Sequence, residues 1–191
     1  GTAASQRSVL LAAIASFGGP KGGKMLLDIY NSLGEEEATD RSSALRAIAV
    51  AGGKHTETFI IGKLKGEPRE VQTILSALDD SCSQKIFDTL LKLANDPDAQ
   101  HSRSVVSCFG RLARRGSAYH EQALKALLQM FEKWPRDKKY SVACAIMRTG
   151  ARDDGVIEYL KKLKEQLEQE NPNDGRISYI EGLLKEAEKA E

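Results

Sequence analysis

Gly18-Gly-Pro-Lys-Gly-Gly-Lys24 is the stretch whose spacing comes nearest to known chemistry, because it fits G-x-x-x-x-G-K. In that pattern backbone N–H groups cradle phosphates, the lysine reaches them, and a following Ser or Thr holds magnesium. Here Met25 follows instead. The loop also needs a parallel strand before it and a helix after it, and the remaining sequence has no strand-rich segments to build a sheet. The segment is therefore read as a flexible turn between the first two helices. Histidine is too sparse for metal chemistry: His55, His101 and His120 lie far apart, and only His120 is followed by an acid, Glu121. His120 reads as a solvated polar residue. No Ser-His-Asp or Cys-His set occurs at a persuasive spacing. Cys82, Cys108 and Cys144 form no CxxC and no even-numbered disulfide framework, and each sits among small or apolar neighbours. They read as core residues, with a lean towards a reducing, cytoplasmic compartment. No catalytic, cofactor-binding or metal-binding residue is assigned, and the chain is not read as an enzyme.

Charge is the second source of chemistry. The formal net charge of +1 gives no overall attraction to nucleic acid or to an anionic membrane. Its distribution is uneven, however. Residues 101–152 hold 11 Lys and Arg against 3 Asp and Glu, a net of +8, whereas 1–100 carry −2 and 153–191 carry −5. Arg111, Arg114, Arg115, Lys138, Lys139 and Arg148 are the densest part of this band. A band of that kind suits an acidic partner or a polyanion. The opposite reading is a solvated face balanced by the acidic stretch from Asp153 to Glu191.

These residues must be positioned by helices. Ser8 to Gly19 (SVLLAAIASFGG) and Ser42 to Gly53 (SSALRAIAVAGG) align at an offset of 34 residues, with Ile14 over Ile48 and glycine pair over glycine pair. EVQTILSALDD from Glu70, SVVSCFGRLARRG from Ser104 and SVACAIMRTG from Ser141 continue the series at intervals of about 27 to 37 residues. Four of these five helices end in Gly, the residue that most readily takes the left-handed conformation that stops a helix. The third departs, with Asp79-Asp80 in place of the glycines.

Between them lies a second set of amphipathic segments. Their stripes are Leu26, Ile29, Tyr30 and Leu33; Phe59, Ile60 and Leu64; Ile86, Leu90, Leu91 and Ala94; Leu124, Leu127, Leu128 and Phe131; and Val156, Leu160, Leu163 and Leu167. Turn signals separate the segments at Gly34, Gly66-Glu67-Pro68, Asn95-Asp96-Pro97, Trp134-Pro135 and Asn171-Pro172. Asp96-Pro97 offers an N-cap followed by an N1 proline. Gly175 to Glu191 forms a last helix. The expected fold is all-α, an α-solenoid of about five antiparallel helix pairs plus a C-terminal capping helix, in a single domain over 1–191. No apolar run approaches the ~20 residues that a membrane-spanning helix needs, so no membrane insertion is expected.

The SSALRAIAVAGG type of helix followed by a more amphipathic partner resembles HEAT and armadillo repeats, especially the short HEAT-like repeats of bacterial proteins. That resemblance implies a protein-interaction scaffold whose extended surface is lined by the second helix of each pair. Gln122, Lys125, Gln129 and Lys133, opposite the Leu124–Phe131 stripe, are then the candidate contacts. The alternatives are nucleic-acid or phosphate binding through the basic band, and an accessory or lyase-like subunit. Two HEAT-like enzyme families are poorly matched. Deoxyhypusine hydroxylases need several His-Glu pairs, and alkylpurine glycosylases use a Trp, whereas the lone Trp134 sits beside Pro135 and reads as packing.

The two ends differ. The closing helix has a polar outer face in Glu181, Lys185, Glu186, Glu188, Lys189 and Glu191. From Val9 to Phe17 the opening helix has Ser16 as its only polar residue. Such a helix is expected to be covered, either by protein upstream in a longer chain or by end-to-end self-association.

Overall fold

The computed structural model describes residues 3–79, 82–98 and 100–189. Among these the protein is all-helical. Its elements are α1 (Ala3–Phe17), α2 (Gly19–Ser32), a 3-10 turn at Glu35–Glu37, α3 (Ala38–Ala51), α4 (Lys54–Lys63), α5 (Pro68–Ala77), α6 (Gln84–Leu93) and α7 (Ser102–Leu112). They continue with α8 (His120–Lys133), α9 (Arg136–Arg148), α10 (Asp154–Glu170) and α11 (Gly175–Lys189). The chain forms two compact units, Gly1–Cys108 and Phe109–Glu191.

The expected stop signals act as read. Gly52 and Gly53 (φ 66 and 97) and Gly150 (φ 77) take positive φ just past the ends of α3 and α9, and Gly116 (φ 90) does so in the turn after α7, a region that favours glycine. The third helix of the series stops differently, with Leu78 in extended conformation at the end of α5; Asp80 lies outside the described residues. N-caps set other starts. The Ser83 hydroxyl accepts from Ile86 N–H at 3.4 Å, and Asp153 Oδ1 accepts from Val156 N–H at 2.9 Å.

Two expectations about turns are corrected. Asp96-Pro97 does not open a helix: Asp96 Oδ1 accepts the Asp98 N–H at 3.0 Å, and α7 begins only at Ser102. That side-chain bond offers the backbone a turn in place of a helical start. Gly18 to Lys24 is not a flexible turn either. Gly19 to Lys24 are the first residues of α2, and a Cβ on Gly22 would sit 2.7 Å from the Ile14 carbonyl oxygen of α1. A Cβ on Gly23 would meet Thr56 Cγ2 of α4 at 3.0 Å. These glycines let helices approach closely, a packing role that needs no phosphate.

In the first unit each helix packs on its near neighbours in a regular order. Helix α3 lies against both α1 and α5, and α4 against both α2 and α6. The core comprises Leu26, Leu45, Ile48, Ile60, Leu64, Ile74, Leu75, Phe87 and Leu90, all fully buried or nearly so. In the second unit α8 packs on α9, and α9, α10 and α11 pack on one another. Here α8 is rotated from the expected stripe. Ala123, Ala126, Leu127 and Met130 are its buried residues, while Leu124, Leu128 and Phe131 are half-buried. Ala123 and Leu127 are fully buried, with Met130 and Ala126 close behind. Cys82, Cys108 and Cys144 are buried, and Trp134 is buried at the end of α8. No described helix is long and apolar enough to cross a membrane.

Candidate functional site

All ten residues singled out by charge or helix face lie in the second unit. On α8, Gln122, Lys125, Gln129 and Lys133 fall along one line, three or four residues apart, and all four are exposed. Beside that line run the half-buried Leu124, Leu128 and Phe131. Arg111 closes α7, and Arg114 and Arg115 project from the turn leading to α8, both exposed. The start of α8 is tied to this turn, since His120 Nδ1 lies 2.6 Å from the Ala113 carbonyl oxygen. His120 is therefore half-buried and bonded to backbone, in contrast to the solvated residue expected.

Other cations of the basic band make internal contacts. Lys139 Nζ sits over the Phe131 ring, 5.1 Å from its centroid, and donates to the Glu132 carbonyl at 3.3 Å. Phe131 in turn meets Tyr159 edge to face at 5.4 Å. Arg148 stacks on Tyr179, 5.3 Å from the centroid, and donates to its hydroxyl. Lys138 is half-buried at the start of α9. Among the described residues no carboxylate pairs with Arg114, Arg115, Lys125 or Lys133. Meanwhile the acidic closing helices pair internally: Lys164 bridges Glu168 at 3.0 Å and Glu181 at 3.1 Å, and Arg176 holds Asp174 at 2.7 Å. Of the cations singled out, Lys139 and Arg148 rest on aromatic rings, whereas Arg114, Arg115, Lys125 and Lys133 form an open set without a carboxylate partner among the described residues.

A second polar constellation, in the first unit, escaped sequence reasoning. Tyr30, Arg41 and Glu70 line a cleft of about 310 Å³, together with Glu35, Ser42 and Thr73. The Arg41 guanidinium lies 4.5 Å from the Tyr30 ring centroid, and donates to the Leu33 carbonyl at 2.7 Å and the Tyr30 hydroxyl at 3.0 Å. It thereby satisfies a carbonyl left open at the end of α2. The Tyr30 hydroxyl donates to Glu70, and Lys63 Nζ lies 2.9 Å from both Glu70 oxygens. Burial by itself pushes the Glu70 carboxyl up, but the Tyr30 and Lys63 hydrogen bonds and the Lys63 and Arg41 charges outweigh it and hold it below the ordinary glutamate value. Burial pulls Lys63 down, and its bonds to Glu70 and Tyr30 reverse this, leaving it raised. No short-range spacing announces this network, because its members come from four helices. Its bonds are largely satisfied within the fold, so its chemistry is structural.

No described group of three or more His, Cys, Asp or Glu side chains is arranged to hold a metal. The Cys144 thiol is pushed up by burial, which opposes the thiolate form that nucleophilic or redox chemistry requires. The chain matches no protein-family model, no curated protein and no solved structure.

Proposed function

We propose that the protein is an α-solenoid of about five antiparallel helix pairs with a closing helix, of the HEAT or armadillo kind. In this reading it is a scaffold without catalysis of its own, and holds an acidic segment of another protein along α8. The packing of α3 between α1 and α5, and of α4 between α2 and α6, supports the stacked arrangement. The observation that carries the function is the open cationic set. Lys125 and Lys133 share an exposed line with the amides of Gln122 and Gln129, flanked by half-buried Leu124 and Leu128. Alternating charge, amide and apolar edge suits a peptide with acidic and apolar side chains. The one aromatic beside the line, Phe131, is already covered by Lys139 and Tyr159. That leaves no open ring for stacking a base, which favours a protein partner over nucleic acid.

The test is fluorescence anisotropy with a labelled Glu/Leu-rich peptide and, separately, a labelled single-stranded oligonucleotide. The peptide is expected to bind, to weaken as salt is raised, and to lose roughly tenfold or more in affinity with Lys125→Glu and Lys133→Glu combined. Failure of the peptide to bind at low salt overturns the reading. Preference for the oligonucleotide, lost in the same variant, would transfer the surface to nucleic acid.

A further inference from the structure

The turn between α7 and α8 carries a serine directly behind two open arginines, in the order Arg114-Arg115-Gly116-Ser117. Residues 113–119 connect Leu112, the end of α7, to His120, the start of α8. Arg114, Arg115, Gly116 and Ala118 are exposed, Ser117 is half-buried, and Tyr119 is buried. A Cβ added to Gly116 meets nothing within 4 Å, so the turn stands clear of other elements at this point. Local bonds shape it. The Ser117 N–H donates to the Arg114 carbonyl at 3.1 Å, and the Ser117 hydroxyl oxygen accepts the Tyr119 N–H at 3.1 Å. Bonds of this reach can be released by local opening without unfolding the helices on either side.

We infer that Ser117 is a phosphorylation site for an arginine-directed serine kinase, and that phosphate there silences the open cationic set. Kinases select substrates by charge pattern, and those of this class pair acidic side chains in their cleft with arginines two and three residues before the acceptor. Arg115 and Arg114 occupy those two places, and neither is engaged by a carboxylate among the described residues. In the transfer the Ser117 Oγ attacks the γ-phosphorus of ATP. A P–O bond forms to Oγ, the bridging bond to the β-phosphate breaks, the hydroxyl proton passes to the kinase's base, and ADP leaves. The chain contains its own comparison. Lys138-Lys139-Tyr140-Ser141 repeats the spacing of cations and serine, but Ser141 lies within α9, where its hydroxyl donates to the Lys138 carbonyl at 3.0 Å. A kinase cleft takes the acceptor segment in extended form, which a turn can supply on opening and a helix interior cannot. Local structure therefore selects Ser117. Phosphoserine brings a charge of about −1.5 to −2 at pH 7 and three acceptor oxygens. Beside Arg114 and Arg115 these oxygens form charge-assisted hydrogen bonds and offset the charge of both arginines. The silencing rests on the reading of α8 as a surface for an acidic peptide; the modification itself does not.

The full chain, incubated with a purified arginine-directed serine kinase and magnesium ATP, is mapped for phosphate by mass spectrometry of its peptides. Phosphate is expected on Ser117 and not on Ser141. Ser117→Ala is expected to abolish it, and Arg114→Gln with Arg115→Gln to slow it by roughly tenfold or more, with circular dichroism unchanged in both variants. Absence of phosphate from Ser117 overturns the inference, as does transfer at a rate that ignores the arginine changes. The phosphorylated chain is expected to bind the labelled Glu/Leu-rich peptide roughly fivefold more weakly at low salt. An unchanged affinity overturns the silencing. If the unmodified chain fails to bind the peptide, the proposed function fails, and the phosphate map still decides the site.

Discussion

Replacing Gly22 with alanine should reverse the usual effect of that substitution inside a helix. A glycine in a helix interior costs about 0.5–1 kcal/mol relative to alanine, because the glycine backbone loses more freedom on folding. Gly62, in α4, shows the ordinary case: a Cβ there meets nothing within 4 Å. Gly62→Ala is therefore expected to stabilise by about that amount. At Gly22 the added carbon would lie 2.7 Å from the Ile14 carbonyl oxygen and 3.5 Å from Ile14 Cγ2. The first distance is well inside van der Waals contact, and the obstacle is backbone, so α1 and α2 must move apart. Overpacking of this kind costs about 1–3 kcal/mol, which cancels or exceeds the propensity gain. The two variants should then differ by roughly 1–3 kcal/mol, or about 2–4 °C of melting temperature per kcal/mol for a chain of this size. Urea unfolding followed by circular dichroism reads the difference directly. If Gly22→Ala unfolds at or above the midpoint of Gly62→Ala, the close α1–α2 approach assigned to these glycines is wrong.

Glu70 carries a pH dependence whose sign follows from its lowered carboxyl. Its contribution is complete above the ordinary glutamate range and is lost as pH falls through the folded value, so Glu70→Gln should flatten the acid limb of a stability-versus-pH curve. Lys63, raised by the same contact, acts at the other end, and its contribution fades as pH climbs past the ordinary lysine range. Cys82, Cys108 and Cys144 are all buried. In native buffer they should therefore resist alkylation by iodoacetamide, and all react promptly in denaturant; rapid native labelling counted by mass spectrometry would contradict the packing described.

The sequence made the helix ends legible, and the reason is local. A glycine at Gly52, Gly116 or Gly150 marks a backbone that must turn left-handed, and this requirement is met within a few residues. The all-helical character followed from apolar periodicity for the same reason. The buried face of α8 was misplaced because periodicity weights large apolar residues, whereas Ala123 and Ala126 join Leu127 and Met130 on that face. The role of Gly18 to Lys24 was hidden too, since a glycine needed for helix–helix approach looks the same in sequence as one needed for a loop. Of the cationic candidates, Arg114, Arg115, Lys125, Lys133 and Arg148 are exposed. What the pattern could not show was that Lys139 and Arg148 rest on aromatic rings brought near by folding. The Tyr30–Arg41–Glu70 network had no signal at all, because Glu70 stands 40 residues from Tyr30.

The packing order within each unit also bears on how the chain reaches its fold. The substantial helix contacts join elements that are adjacent in sequence or one removed, such as α1 with α3, α4 with α6 and α9 with α11. Contacts of such short reach require little loop closure before they are formed. The same locality makes the chain modular in evolution and in engineering. A residue inserted in the turn between α10 and α11 bears on those two helices and on α9, which packs on both.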